Sequence, residues 1–115
     1  MLAKDLKLAM QQEGNKYLLV DVREEAEISA APFFKDVSPN YINIPLTVVA
    51  VSPKEEIVSR LETAAKSMGF LLSDAKVMIV CRSGSRSDFA VERLASFGIR
   101  TENVDDGRIG WGEPL

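Results

Sequence analysis

Residues 77–87 read Val77-Met78-Ile79-Val80-Cys81-Arg82-Ser83-Gly84-Ser85-Arg86-Ser87. The first four are apolar without alternation, which is the pattern of a strand covered on both faces. The polar, glycine-containing run from Cys81 to Arg86 reads as a loop. A helix follows, with Phe89, Ala90, Leu94 and Phe97 on its apolar face and Gly98 past its end. Strand, short loop and helix in that order form the repeating unit of a parallel sheet.

The flanking sequence repeats the alternation. Tyr17-Leu18-Leu19-Val20, between Lys16 and Asp21, is a second apolar strand of the same kind. Tyr41-Ile42-Asn43-Ile44 is another, ended by Pro45, which cannot donate to a ladder. Arg100 to Val104 reads as the last strand. Between them, residues 3–12 place Leu6, Ala9 and Met10 on one helical face, with Gly14 as a stop. Glu24 to Ser29 reads as a short helix and residues 31–40 as a loop. Ser52-Pro53-Lys54-Glu55 predicts a helix start, with Ser52 as N-cap and Glu55 completing a capping box. Ile57, Leu61, Ala64, Ala65 and Met68 then form an apolar stripe closed by Gly69, and Ser73-Asp74 turns the chain. The pattern predicts an α/β sandwich with a mostly parallel central sheet. Ligands bind beyond the carboxyl ends of such strands, where Cys81 falls.

The chain has 115 residues, which predicts one domain over 1–115. A hydrophobic content of 46% suffices for a core and argues against disorder. The formal charge of -3 argues against nucleic-acid binding, which needs a basic face. No apolar run approaches the roughly 18 residues of a membrane span. Met1 to Gln12 is amphipathic and lacks a signal peptide's apolar core, so the expectation is a cytoplasmic monomer. An organellar location after removal of a transit peptide stays open. One cysteine and no histidine exclude an internal disulfide, a Cys/His zinc site and every histidine-based triad. No metal or other cofactor is expected.

Attention therefore falls on Cys81. It is predicted to lie at a helix N-terminus, where free N–H groups and the helix dipole favour an anion. Gly84 lets several N–H groups converge, and Arg82 and Arg86 add positive charge. Such surroundings lower a thiol's pKa below its ordinary value of about 8.5. The loop thus predicts a nucleophilic thiolate beside a binding place for an anionic substrate. The competing reading is an inert core cysteine followed by a plain cap. The two arginines weigh against it, because an inert thiol needs no cations around it.

The loop Cys81-Arg82-Ser83-Gly84-Ser85-Arg86-Ser87 resembles the active-site loop of single-domain rhodaneses, which are sulfurtransferases. Leu19-Val20-Asp21-Val22-Arg23-Glu24 is similar to the family's first strand, and Ile42-Asn43-Ile44-Pro45-Leu46 to its Asn-Ile-Pro segment. Asp106-Gly107-Arg108-Ile109-Gly110-Trp111 resembles its glycine-tryptophan ending. Where the family often carries Gly-His-Ile, this chain has the longer stretch Pro32 to Tyr41, with Phe33 and Phe34. The resemblance implies a three-layer α/β sandwich and a persulfide mechanism. Cys81 would take a sulfane sulfur from a small anionic donor such as thiosulfate and pass it to a thiol, cyanide or an acceptor protein. The backbone from Arg82 through Ser83, Gly84 and Ser85 to Arg86 would cradle the persulfide, and both arginines would hold the donor's sulfonate. Asp21 and Arg23 would brace neighbouring loops. Trp111, Phe33 and Phe34 would line the pocket mouth or pack at its rim.

Two rivals stand beside this reading. Cysteine phosphatases and arsenate reductases place an arginine six positions after the cysteine, where this chain has Ser87. The shorter loop favours a sulfur atom over a phosphoryl group. The other rival is a regulatory or sulfur-relay interaction module. With Cys81 alone there is no resolving thiol, so either role needs an external acceptor.

Overall fold

Among the described residues four strands, β1 (Tyr17–Asp21), β2 (Tyr41–Asn43), β3 (Lys76–Val80) and β4 (Thr101–Asn103), pair in the order β2-β1-β3-β4. Every pair is parallel. The structure is a computed structural model, described here over residues 1–12, 16–30 and 40–111, with only the backbone at Trp111. Among the described residues five α-helices join and cover the strands: α1 (Ala3–Met10), α2 (Glu25–Ala30), α3 (Leu46–Val51), α4 (Lys54–Ser67) and α5 (Ser85–Ser96).

Side chains along the central strands alternate between the two faces of the sheet, and both faces are covered. Leu18, Val20, Val77 and Ile79 face one side, packed with Val49 of α3, Ile57 and Leu61 of α4, and Ala90 and Leu94 of α5. Tyr17, Leu19, Met78 and Val80 face the other, packed with Ala3 and Leu6 of α1. The three-layer α/β sandwich is therefore present, with a central sheet that is wholly parallel. All five residues of β1 are buried, as its unbroken apolar run predicts.

Three local expectations are corrected. The capping box at Ser52 does not form. Ser52 ends α3 as its C-cap, and α4 starts at Lys54 with Pro53 as N-cap and no side-chain cap bond. The helix α3 itself went unpredicted, because Leu46-Thr47-Val48-Val49-Ala50-Val51 is rich in β-branched residues, which favour strands. Its packing against α5 overrides that preference. Finally, Phe89 is exposed; the buried side of α5 is set by Ser87, Ala90 and Leu94 instead. Gly14 and the loop stretch 31–39, with Phe33 and Phe34, lie outside the described residues.

Candidate active site

Cys81 leaves the carboxyl end of β3, the central strand bordering both β1 and β4. The Val22 N–H donates to Val80 O at 2.9 Å and fixes the strand end. The chain then turns through Arg82, Ser83 and Gly84 into α5. Gly84 has φ +105°, a left-handed value that L side chains rarely adopt. A Cβ there would also stand 2.1 Å from the Asp105 carbonyl oxygen. Below the loop, Arg108 N–H donates to Cys81 O at 2.9 Å and Ile109 N–H to Arg82 O at 3.1 Å. Gly107 makes that approach feasible, since a Cβ there would meet both loop carbonyls at 2.6 Å.

The turn places the sulfur among donors. Gly84 N–H donates to Cys81 Sγ at 3.1 Å and Ser87 N–H at 3.4 Å, while Ser87 Oγ stands 3.3 Å away. Ser87 is the third residue of α5, and no side chain of the N-cap Gly84 takes its N–H. The sulfur does what an N-cap oxygen does elsewhere: it accepts an orphan N–H of the first helical turn. Cys81 is 1% exposed, so burial pushes its pKa up more than any other single influence. The Ser87 hydroxyl and the N–H groups of Ser87, Gly84 and Ser83 together outweigh that and hold the thiol below its ordinary value.

A second layer holds these donors. The Ser87 hydroxyl also bonds to Asn103 Oδ1 and, at 3.0 Å, to Gly84 O, while Asn103 Nδ2 donates to Gly84 O at 3.1 Å. The single Ser87 hydroxyl proton is thus contested by the sulfur, an amide oxygen and a carbonyl, and toward the sulfur either atom can be the donor. Asn103 ends β4, next to β3, so the sheet itself sets the position of Ser87.

Arg82, Ser83 and Ser85 are exposed around the loop, Gly84 is buried and Arg86 is half-buried. The side chain of Arg82 forms no ion pair among the described residues. Arg86 does: Nη1 bonds to Glu27 Oε1, and Nη2 donates to Glu27 Oε2 at 2.7 Å. The Arg86 guanidinium holds the Glu27 carboxyl at about 2, well below its ordinary 4.5. Arg86 still senses the sulfur, because the Cys81 charge is among the causes that raise its own pKa. Among the influences that lower the thiol's pKa, the Ser87 hydroxyl and the backbone N–H donors come first, in line with the convergence of donors expected of the loop.

Asp21 and Arg23 form a buried pair at the end of β1, with Arg23 Nη2 2.8 Å from Asp21 Oδ2. The Tyr41 hydroxyl donates to the same oxygen at 2.7 Å, and Asn43 Nδ2 donates to Asp21 O and Arg23 O. These contacts tie β1 to β2, the bracing role expected of the pair. Trp111 lies in a short 3-10 turn, and its side chain is outside the described residues. Ser87, Asn103 and Glu27 were not singled out from sequence as site residues. Ser87 carried a legible signal, being three residues past the glycine at a helix start, where its N–H lacks a helical partner.

The family model of the rhodanese-like domain matches residues 2–113. The chain belongs to the rhodanese-like domain family. Among solved structures, a rhodanese-like domain protein from Staphylococcus aureus superposes with a TM-score of 0.72 at 25% identity, covering 98% of this chain and 90% of that one. A rhodanese-related protein from Thermoplasma volcanium gives a TM-score of 0.67 at 27% identity, covering 99% and 93%. Among curated proteins, the adenylyltransferase and sulfurtransferase UBA4 of Yarrowia lipolytica is 29% identical over 100 residues. That match covers 87% of this rhodanese-like chain but only 21% of the relative's length. Among the described residues no group of acidic and cysteine side chains is arranged to hold a metal ion. No helix among them is long and apolar enough to cross a membrane.

Proposed function

We propose that this rhodanese-like domain is a sulfurtransferase that works through a persulfide on Cys81. The observation that carries the reading is the cradle itself, two backbone N–H groups and a hydroxyl converging within 3.4 Å of one buried sulfur. Thiolate Sγ attacks the outer sulfur of a donor such as thiosulfate. A new S–S bond forms to Sγ, the donor's S–S bond breaks, and its electron pair leaves with sulfite. The terminal persulfide sulfur carries the negative charge, which Gly84, Ser87 and the loop N–H groups from Arg82 to Arg86 stabilise. Exposed Arg82 meets the donor's sulfonate, with Arg86 beside it. A thiolate or cyanide then attacks the outer sulfur, and the Cys81 thiolate returns as leaving group.

The name of the curated relative, which joins adenylyl transfer to sulfur transfer, supports the sulfur-transfer reading. The phosphatase reading is disfavoured by the loop: the arginine stands five positions after Cys81 and is engaged by Glu27. The test is intact mass spectrometry after exposure to thiosulfate. One sulfur, about 32 Da, should add and be removed by cyanide, with thiocyanate as product. The Cys81→Ser protein should fold and take up none. Sulfur transfer persisting in Cys81→Ser would overturn the mechanism.

A further inference from the structure

Charge at the mouth of the cradle differs from what the loop sequence alone suggests. Arg86 is held by both oxygens of Glu27, which reaches it from α2 on the far side of β1 in the sequence. Glu24 adds to the same neighbourhood: its charge acts on Arg86, its Oε1 accepts from Thr47 Oγ1 at 2.8 Å, and its Oε2 is buried with no hydrogen-bond partner. Arg23, the other cation acting on Glu27, is committed to Asp21. On this side of the site, two carboxylates therefore surround one guanidinium.

We propose that Glu27 is a specificity-determining residue that, by holding Arg86, selects against doubly charged sulfur donors in favour of singly charged or neutral ones. The inference rests on the sulfur-transfer reading above. A dianion that enters beside Arg86 meets a cation already neutralised. Should it draw Arg86 away, it leaves the Glu27 carboxylate unpaired next to two negative charges. Either way Arg82 alone is left to compensate the donor, which suffices for a monoanion and leaves the second charge of a dianion unmet. Glu27 is ionised at any pH suited to the reaction, since its carboxyl titrates at about 2.

Two donors separate charge from chemistry. Thiosulfate carries two charges and releases sulfite. Methanethiosulfonate carries one and releases methanesulfinate, through the same attack of Cys81 on the outer sulfur. Glu27→Gln keeps the shape of the side chain and removes its charge. It should raise kcat/KM for thiosulfate on the order of tenfold, mostly through KM, and by at least three times as much as for methanethiosulfonate. Glu27→Asp keeps the charge and should keep the parent's donor ratio. Equal changes with both donors, or a loss with both, would mean that Glu27 merely supports the loop, and would overturn the inference. So would a donor ratio that moves as far in Glu27→Asp as in Glu27→Gln. If the parent takes sulfur from neither donor, the sulfur-transfer reading itself fails and takes this one with it.

Discussion

Replacing Ser87 by alanine removes one hydroxyl from beside the sulfur and leaves the Ser87 N–H bond in place. Ser87 is fully buried and its Oγ lies 3.3 Å from Sγ. A hydrogen bond to a charged group contributes about 1.5–3 kcal/mol. The lower end applies, because Asn103 Oδ1 and Gly84 O compete with the sulfur for the one hydroxyl proton. About 1.4 kcal/mol is a factor of ten in the ratio of thiolate to thiol. The hydroxyl favours the anion, so its loss moves the Cys81 pKa upward. Alkylation by neutral iodoacetamide, followed against pH, should show a midpoint displaced to higher pH. On the acid side of the profile the variant should react about tenfold more slowly than the parent. Above pH ~10 both thiols are ionised and the rates should converge, which separates lost ionisation from lost access. A midpoint at or below that of the parent would refute the assignment of Ser87 as a donor to the sulfur.

Asp21→Asn strips the charge from the partner of a guanidinium that is 2% exposed, and should lower unfolding free energy in urea by about 3–5 kcal/mol; a change under ~0.5 kcal/mol would show the pair to be inessential. The Glu27 carboxyl has a depressed pKa, so the pair with Arg86 stabilises the fold fully above 4.5 and the effect is lost as pH falls to about 2. Glu27 is 34% exposed, which limits the contribution to about 1 kcal/mol or less. The stability gap between parent and Glu27→Gln should therefore close between those two pH values, and a gap constant across them would contradict the assignment.

The strands and the cradle were legible in the sequence for a local reason. Unbroken apolar runs such as Leu18-Leu19-Val20 leave a strand covered on both faces as the simple solution, and a cysteine followed by Gly84 at a helix start places sulfur and N–H groups within a few residues. What stayed hidden is long-range. Glu27 meets Arg86 across 59 positions, and nothing in either segment announces the other. Asn103 reaches Ser87 only because β4 lies beside β3. The missed helix α3 and the exposed Phe89 share a different cause: propensity and apolarity were read from single segments, whereas the packing of α3 on α5 decided both the state of Leu46–Val51 and which side of α5 is covered.

The wholly parallel order β2-β1-β3-β4 has a consequence for how the reactive thiol comes into being. Parallel neighbours cannot be joined by hairpins, and Tyr17 to Asp21 find their partners Lys76 to Val80 about sixty residues further along. Closing such loops must precede the contacts that reward it, so folding of this chain is expected to be slow and concerted. The sulfur follows the end of β3, its donors come from Gly84 and the start of α5, and Asn103 of β4 stands behind them, so they converge only when that closure is complete. A chain still emerging from the ribosome therefore carries an ordinary, weakly ionised cysteine. The shift of the Cys81 thiol toward ionisation arises together with the fold that covers the sulfur.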